Sequence, residues 1–161
     1  MSERNHEKGM LLAIEQALKA VANGEPPFGV VILDAQGELV AATHDEVNTR
    51  GDMSAHAETL AVRAACQVRG PSLEGCFLYT TCEPCPMCFT TAWLARIGGV
   101  VYATTMDEVH EILGNAQREL RLPVTRMNEL SGEPVTLVKG VLRDRCLQLF
   151  REHAATLATT K

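Results

Sequence analysis

Apolar residues recur at helical spacing at Met10, Leu11, Ile14, Leu18 and Val21, until the turn-forming run NGEPP at 23–27 ends the pattern. This predicts a first helix. Two β-rich runs follow, FGVVILD (28–34) and ELVAAT (38–43), joined by Ala35, Gln36 and Gly37, a link short enough for an antiparallel hairpin. From Ala55 onward, the stripe Ala57, Leu60, Ala61, Ala64, Ala65 and Val68 predicts a second helix, with Ser54 as its N-cap and Gly70-Pro71 at its end. CFLYTT (76–81) reads as a buried strand. PMCFTTAWLAR (86–96) reads as a helix, with Pro86 in the first turn, where a missing N–H costs little. GVVYA (99–103) and PVTLV (134–138) are the fourth and fifth strands, and Asp107 to Leu113 is a short helix. Leu142, Cys146, Leu149 and Phe150 share one face of a closing helix. Between Asn115 and Glu133 the pattern is too weak to predict an element.

Strands separated by helices favour a largely parallel sheet covered on both faces, with the hairpin as its antiparallel portion. In such sheets ligands bind at the carboxyl ends of the strands. The starts of the second and third helices lie there.

The 161 residues suit one domain spanning 1–161, and 46% hydrophobic residues suffice for a core. The 15 Lys and Arg are scattered and the net charge is -5, which disfavours a nucleic-acid partner and makes a small molecule the expected one. The start, MSERNHEKGM, lacks an apolar h-region and no stretch is long enough to span a bilayer. The expected location is therefore cytoplasmic, with no membrane partner. Six cysteines in a reducing compartment read as thiols or metal ligands before disulfides.

Cys85 and Cys88, three apart at a helix start, share a face, and the helix N-terminus favours their thiolate forms. With His56 they make a zinc set of three ligands, leaving a fourth position for water, whose pKa zinc lowers from about 15.7 to about 7. Glu58, two residues from His56, is placed to move protons to and from that water, provided His56 sits in an irregular first turn. Cys82 offers a rival: a closed Cys3His structural site. An iron-sulfur site would need a further cysteine where Ala92 stands, and a redox C-x-x-C reading leaves His56 and Glu58 without a task. Cys66, Cys76 and Cys146 fit packing roles, as do Phe89 and Trp93, while His6, His44, His110 and His153 lack ligand spacing.

H-A-E at 56–58 followed by P-C-P-M-C at 84–88 matches the zinc deaminase arrangement H-x-E…P-C-x-x-C. With PFGVVI (27–32), Asn48, SAHAETLAVRAAC (54–66) and LYTTCEPCPMC (78–88), the chain resembles the cytidine deaminase superfamily, and within it the guanine and cytosine deaminase group. The resemblance implies a three-layer α/β/α sandwich around a five-stranded mixed sheet, assembled as a homodimer. It implies one Zn2+ per chain on His56, Cys85 and Cys88, Glu58 as proton shuttle, and Asn48, Phe28 and Ala57 against the base. The implied reaction is attack of zinc hydroxide on an amine-bearing ring carbon of a nucleobase or nucleoside, with release of ammonia. A guanine-like aminopurine is the first expectation, with cytosine and then tRNA adenosine as alternatives. The chain departs from the guanine deaminase pattern at two places: LGNAQ (113–117) replaces a Gly-Phe-Asp-Asp stretch whose acid reads an amino group, and the last residues are TTK instead of an aromatic closure. Asn115 is the candidate substitute for the missing acid.

Overall fold

A computed structural model describes residues 4–114 and 118–160. The elements run α1 (His6–Ala22), β1 (Gly29–Leu33), β2 (Leu39–His44), α2 (Val47–Arg50), α3 (Ala57–Arg69), β3 (Phe77–Cys82), α4 (Pro86–Leu94), β4 (Gly99–Thr104), α5 (Met106–Leu113), α6 (Val124–Leu130), β5 (Thr136–Lys139) and α7 (Arg143–Thr159). The strands form one mixed sheet in the order β2-β1-β3-β4-β5. The expected parallel part is smaller than the alternation suggested, because β1 runs antiparallel to β3 as well as to β2, leaving only β3-β4 and β4-β5 parallel. The crossover through α3 carries the chain past β1, so β3 docks on its far side. As a result β2, β3 and β4 all end at the edge of the sheet where β1 begins.

Alternation along the strands builds the layers. Val30 and Ile32 join Leu78, Val100 and Tyr102 in a core packed under α3, α4 and α6, while Val31 and Leu33 join Tyr79 and Val101 beneath α1 and α7. The architecture is thus a three-layer α/β/α sandwich. Cys76 and Cys146 are buried in these cores, and Cys66 packs against the first of them, as their stripes predicted. Among the described residues, no helix is long and apolar enough to cross a membrane.

Three local features differ from expectation. The N-cap of α3 is His56, and Ser54 instead donates its backbone N–H and hydroxyl to Asp52. The one-turn helix α2 exists because buried Glu25 accepts the N–H groups of Asn48 and Thr49, a long-range cap without local signature. Helix α6 lies in the stretch whose pattern predicted nothing. Its first N–H, on Val124, is taken by buried Glu83 at 2.7 Å, and Glu83 also accepts from Met106 at 2.9 Å, tying α5 and α6 to the end of β3. Asn115 lies outside the described residues.

Gly29 opens β1 where α1 crosses it, and a Cβ there would overlap the backbone of Ala13 and Ala17. Gly29→Ala should therefore destabilise the fold by at least about 1–3 kcal/mol, the scale of core overpacking. A urea midpoint equal to wild type would contradict this close helix–strand approach.

Candidate metal centre

The sheet edge shared by the ends of β2, β3 and β4 is where two helices start. His56 is the N-cap of α3 and Cys85 the N-cap of α4, both in extended conformation, and Cys88 follows in the first turn of α4. Pro86 at the first position of α4 holds that turn without needing an N–H partner. The arrangement brings His56 Nδ1 to 3.7 Å from Cys85 Sγ and 3.6 Å from Cys88 Sγ. All three donor atoms lie within 4.8 Å of one another.

These distances can be tested against a metal. Tetrahedral zinc with Zn–S of about 2.3 Å and Zn–N of about 2.0–2.1 Å requires N···S separations of about 3.6 Å. Both nitrogen–sulfur separations fit. The three donors share protons: the hydrogen bond with Cys85 pushes the His56 imidazole up to about 9 against the effect of burial, and the hydrogen bond with Cys85, then burial, push the Cys88 thiol well above the ordinary range. Cys85 is held well below the ordinary thiol range by its hydrogen bond with Cys88 and, against burial, by His56. A divalent cation takes the place of the proton that these groups otherwise share. Thr59 Oγ1, 3.4 Å from Cys88 Sγ, adds a hydroxyl able to donate to that sulfur.

Cys82 ends β3 and lines the same cavity, yet it stands outside the three-donor group and packs with Met106, Val109 and Phe150. Burial, and then the charge of Glu58, push its thiol well above the usual range. Glu58 lies in the first turn of α3 and is buried. Thr80, on β3, donates its hydroxyl to Glu58 Oε1 at 2.9 Å. Burial, then the Cys85 charge, raises the Glu58 pKa while His56 opposes, which favours a carboxyl able to hold and release a proton.

The cavity has a volume of about 380 Å3, within the range of about 300–1,000 Å3 common for small-molecule sites. Its walls include Phe28, Ala57, His56, Glu58 and Cys85, all anticipated from the sequence. Asn48 is not among them. It sits on α2, tied by its N–H to Glu25, and lines the neighbouring cavity of about 260 Å3. The polar residue that occupies this wall is Asp45, immediately after β2, whose N–H donates to Phe28 O at 3.0 Å. Burial pushes the Asp45 carboxyl up to about 7, with His56 opposing and Glu25, Glu58 and Glu46 adding to the rise. Sequence reasoning missed Asp45 because an amide drew attention; the available signal was a polar residue one position past a strand that ends at the site.

Residues 3–104 match the family model of the cytidine and deoxycytidylate deaminase zinc-binding region. The chain belongs to this family. Zinc is accordingly its cofactor, and His56, Cys85 and Cys88 are the donors grouped to hold it. Among relatives of this deaminase chain, a guanine deaminase of Bacillus subtilis (strain 168) is 41% identical over 66% of this chain and 69% of its own. A tRNA-specific adenosine deaminase of Aquifex aeolicus is 39% identical over 62% of this chain and 65% of its own. A solved mutant of the protein NE0047 in complex with 8-azaguanine is 30% identical with a TM-score of 0.84, covering 94% of this chain and 86% of that one.

Cys88→Ala should lower zinc well below one ion per chain by elemental analysis, because two donors cannot replace the set of three. Cys82→Ser should retain it. Loss of zinc from Cys82→Ser would restore the closed Cys3His site.

Proposed function

We propose that this deaminase hydrolyses the amino group of a free nucleobase or nucleoside, with a guanine-like aminopurine as substrate. The observation that carries the reading is a three-donor metal group beside a buried, proton-holding carboxyl, Glu58, in a cavity of about 380 Å3. A closed structural zinc site would give that carboxyl no work. Purine chemistry draws support from the guanine deaminase relative and from 8-azaguanine in the similar NE0047 structure.

Zinc in this site supplies Lewis acidity that makes water nucleophilic near neutral pH. The protein's own residues do the rest. Phe28, beside Phe150 with ring centroids 5.2 Å apart, provides a braced aromatic wall for a planar ring. Ala57 is fully buried and lines the same cavity, where its small side chain leaves room for the ring. Glu58, anchored through Thr80, accepts one proton of the attacking water and passes it to the ring nitrogen, then takes the remaining hydroxyl proton and delivers it to the leaving amine. Water's oxygen becomes the ring carbonyl, and ammonia departs.

A tRNA reading is favoured by the similarity to several tRNA-specific adenosine deaminases, the Aquifex enzyme among them. The cavity wall argues for the smaller ligand: Asp45, Glu58, Glu83 and Glu119 face a single described arginine, Arg118, a poor setting for phosphates. The chain's net charge of -5 points the same way. Two assembled copies in the cytoplasm are part of the proposal, carried by the family resemblance.

Glu58→Ala should keep one zinc per chain and lose at least about 10²-fold in ammonia release from the best base of a nucleobase and nucleoside screen. Loss of zinc and fold together would make Glu58 a structural group. Steeply salt-dependent RNA binding would favour the tRNA reading over the free base.

A further inference from the structure

Among the described residues, the buried acids are matched by donors, with one exception. Asp34 accepts from the N–H groups of Gln36 and Glu38 and pairs with Arg69. Glu25 accepts from Asn48 and Thr49, Glu83 from Met106 and Val124, and Glu58 from Thr80. Asp45 is only 2% exposed, and its Oδ2 is the buried side-chain polar atom without a hydrogen-bond partner among the described residues. A buried carboxyl oxygen left unmatched is destabilising, so its retention asks for a ligand-dependent return.

The backbone around Asp45 is fixed from both sides. Its N–H donates to Phe28 O, and its carbonyl oxygen is 2.8 Å from His44 Nδ1. Phe28, Asp45, His56 and Glu58 then share one cavity wall, so the carboxyl sits on the same ligand space as the aromatic wall and the metal donors. The amide anticipated for reading the base, Asn48, faces the adjacent cavity instead.

We propose that Asp45 is a specificity-determining residue whose carboxyl accepts a hydrogen bond from a ring N–H or amino N–H of the substrate. The inference rests on the nucleobase reading of the cavity and adds a chemical demand to it. An amide in this place would offer a donor and an acceptor and tolerate either edge of a ring. In its ionised form the carboxyl only accepts, so rings that turn a carbonyl oxygen or an unprotonated nitrogen toward it are disfavoured by lone-pair repulsion and by a still unmatched acid.

The test is a cycle between protein and ligand, measured by calorimetry on the zinc-loaded chain carrying Glu58→Ala throughout, so that the probes bind without being hydrolysed. The probes are guanine, 1-methylguanine, 7-methylguanine, 9-methylguanine and N2-methylguanine, against wild type at position 45, Asp45→Ala and Asp45→Asn. Wild type should lose at least about tenfold affinity for one methylated probe relative to guanine, and Asp45→Ala should show less than about a threefold difference between that same pair. Asp45→Asn should give an intermediate ratio. Both variants should keep one zinc per chain and a melting temperature no lower than wild type, since an unmatched buried acid has been removed. Equal methyl penalties in wild type and Asp45→Ala overturn the assignment, as does a fall in melting temperature with zinc lost, which would make Asp45 structural. Wild-type binding of none of the five probes, with zinc present, instead defeats the guanine-like reading and takes this inference with it.

Discussion

Everything at the site depends on two helices starting at one edge of one sheet. His56 and Cys85 are both helix N-caps in extended conformation, and this brings an imidazole and a thiolate together ahead of two helix N-termini. The partial positive charge of those termini stabilises the thiolates that a metal needs. The geometry follows from topology: β1 lies reversed between β2 and β3, so the chain leaves both neighbours at the same end and enters α3 and α4 from adjacent positions. Buried Glu25 and Glu83 hold the intervening segments by accepting backbone N–H groups of α2, α5 and α6. Carboxylates thus organise the loops, while rigid element ends place the metal donors.

Elements with a long apolar stripe or a continuous β-rich run were legible in the sequence, because α1, α3, α4, β1, β3 and β4 bury their pattern in the two cores. The metal donors were legible too: a spacing of three at a Pro-marked helix start has few other physical solutions. What escaped was held by contacts distant in sequence. Helix α2 depends on Glu25 and α6 on Glu83, and neither partnership leaves a local mark. The antiparallel β1-β3 pairing is likewise a matter of where a crossover lands. Ser54 had the right chemistry for an N-cap, but Asp52 captured its hydroxyl, and the cap position went to His56, whose side chain serves the donor group.

The cavity wall illustrates the same division. Phe28 and Ala57, which the family resemblance set against the base, precede or open regular elements and came to line the cavity. Asn48 did not, because the Glu25 cap winds its segment into a helical turn that lines the next cavity. Asp45 takes the wall instead, one residue past β2. The cavity therefore presents acids on several sides with an aromatic face between them, a setting suited to a neutral, nitrogen-rich ring and ill suited to a phosphate chain.

The central claim is a metal held by one nitrogen and two sulfurs, with the fourth place free for chemistry beside Glu58. X-ray absorption at the zinc edge on the loaded protein addresses it most directly. The account predicts two sulfur scatterers at about 2.3 Å and two lighter atoms at about 2.0–2.1 Å. Three sulfurs, with Cys82 as the third, would contradict it and leave a structural staple in place of a catalytic centre.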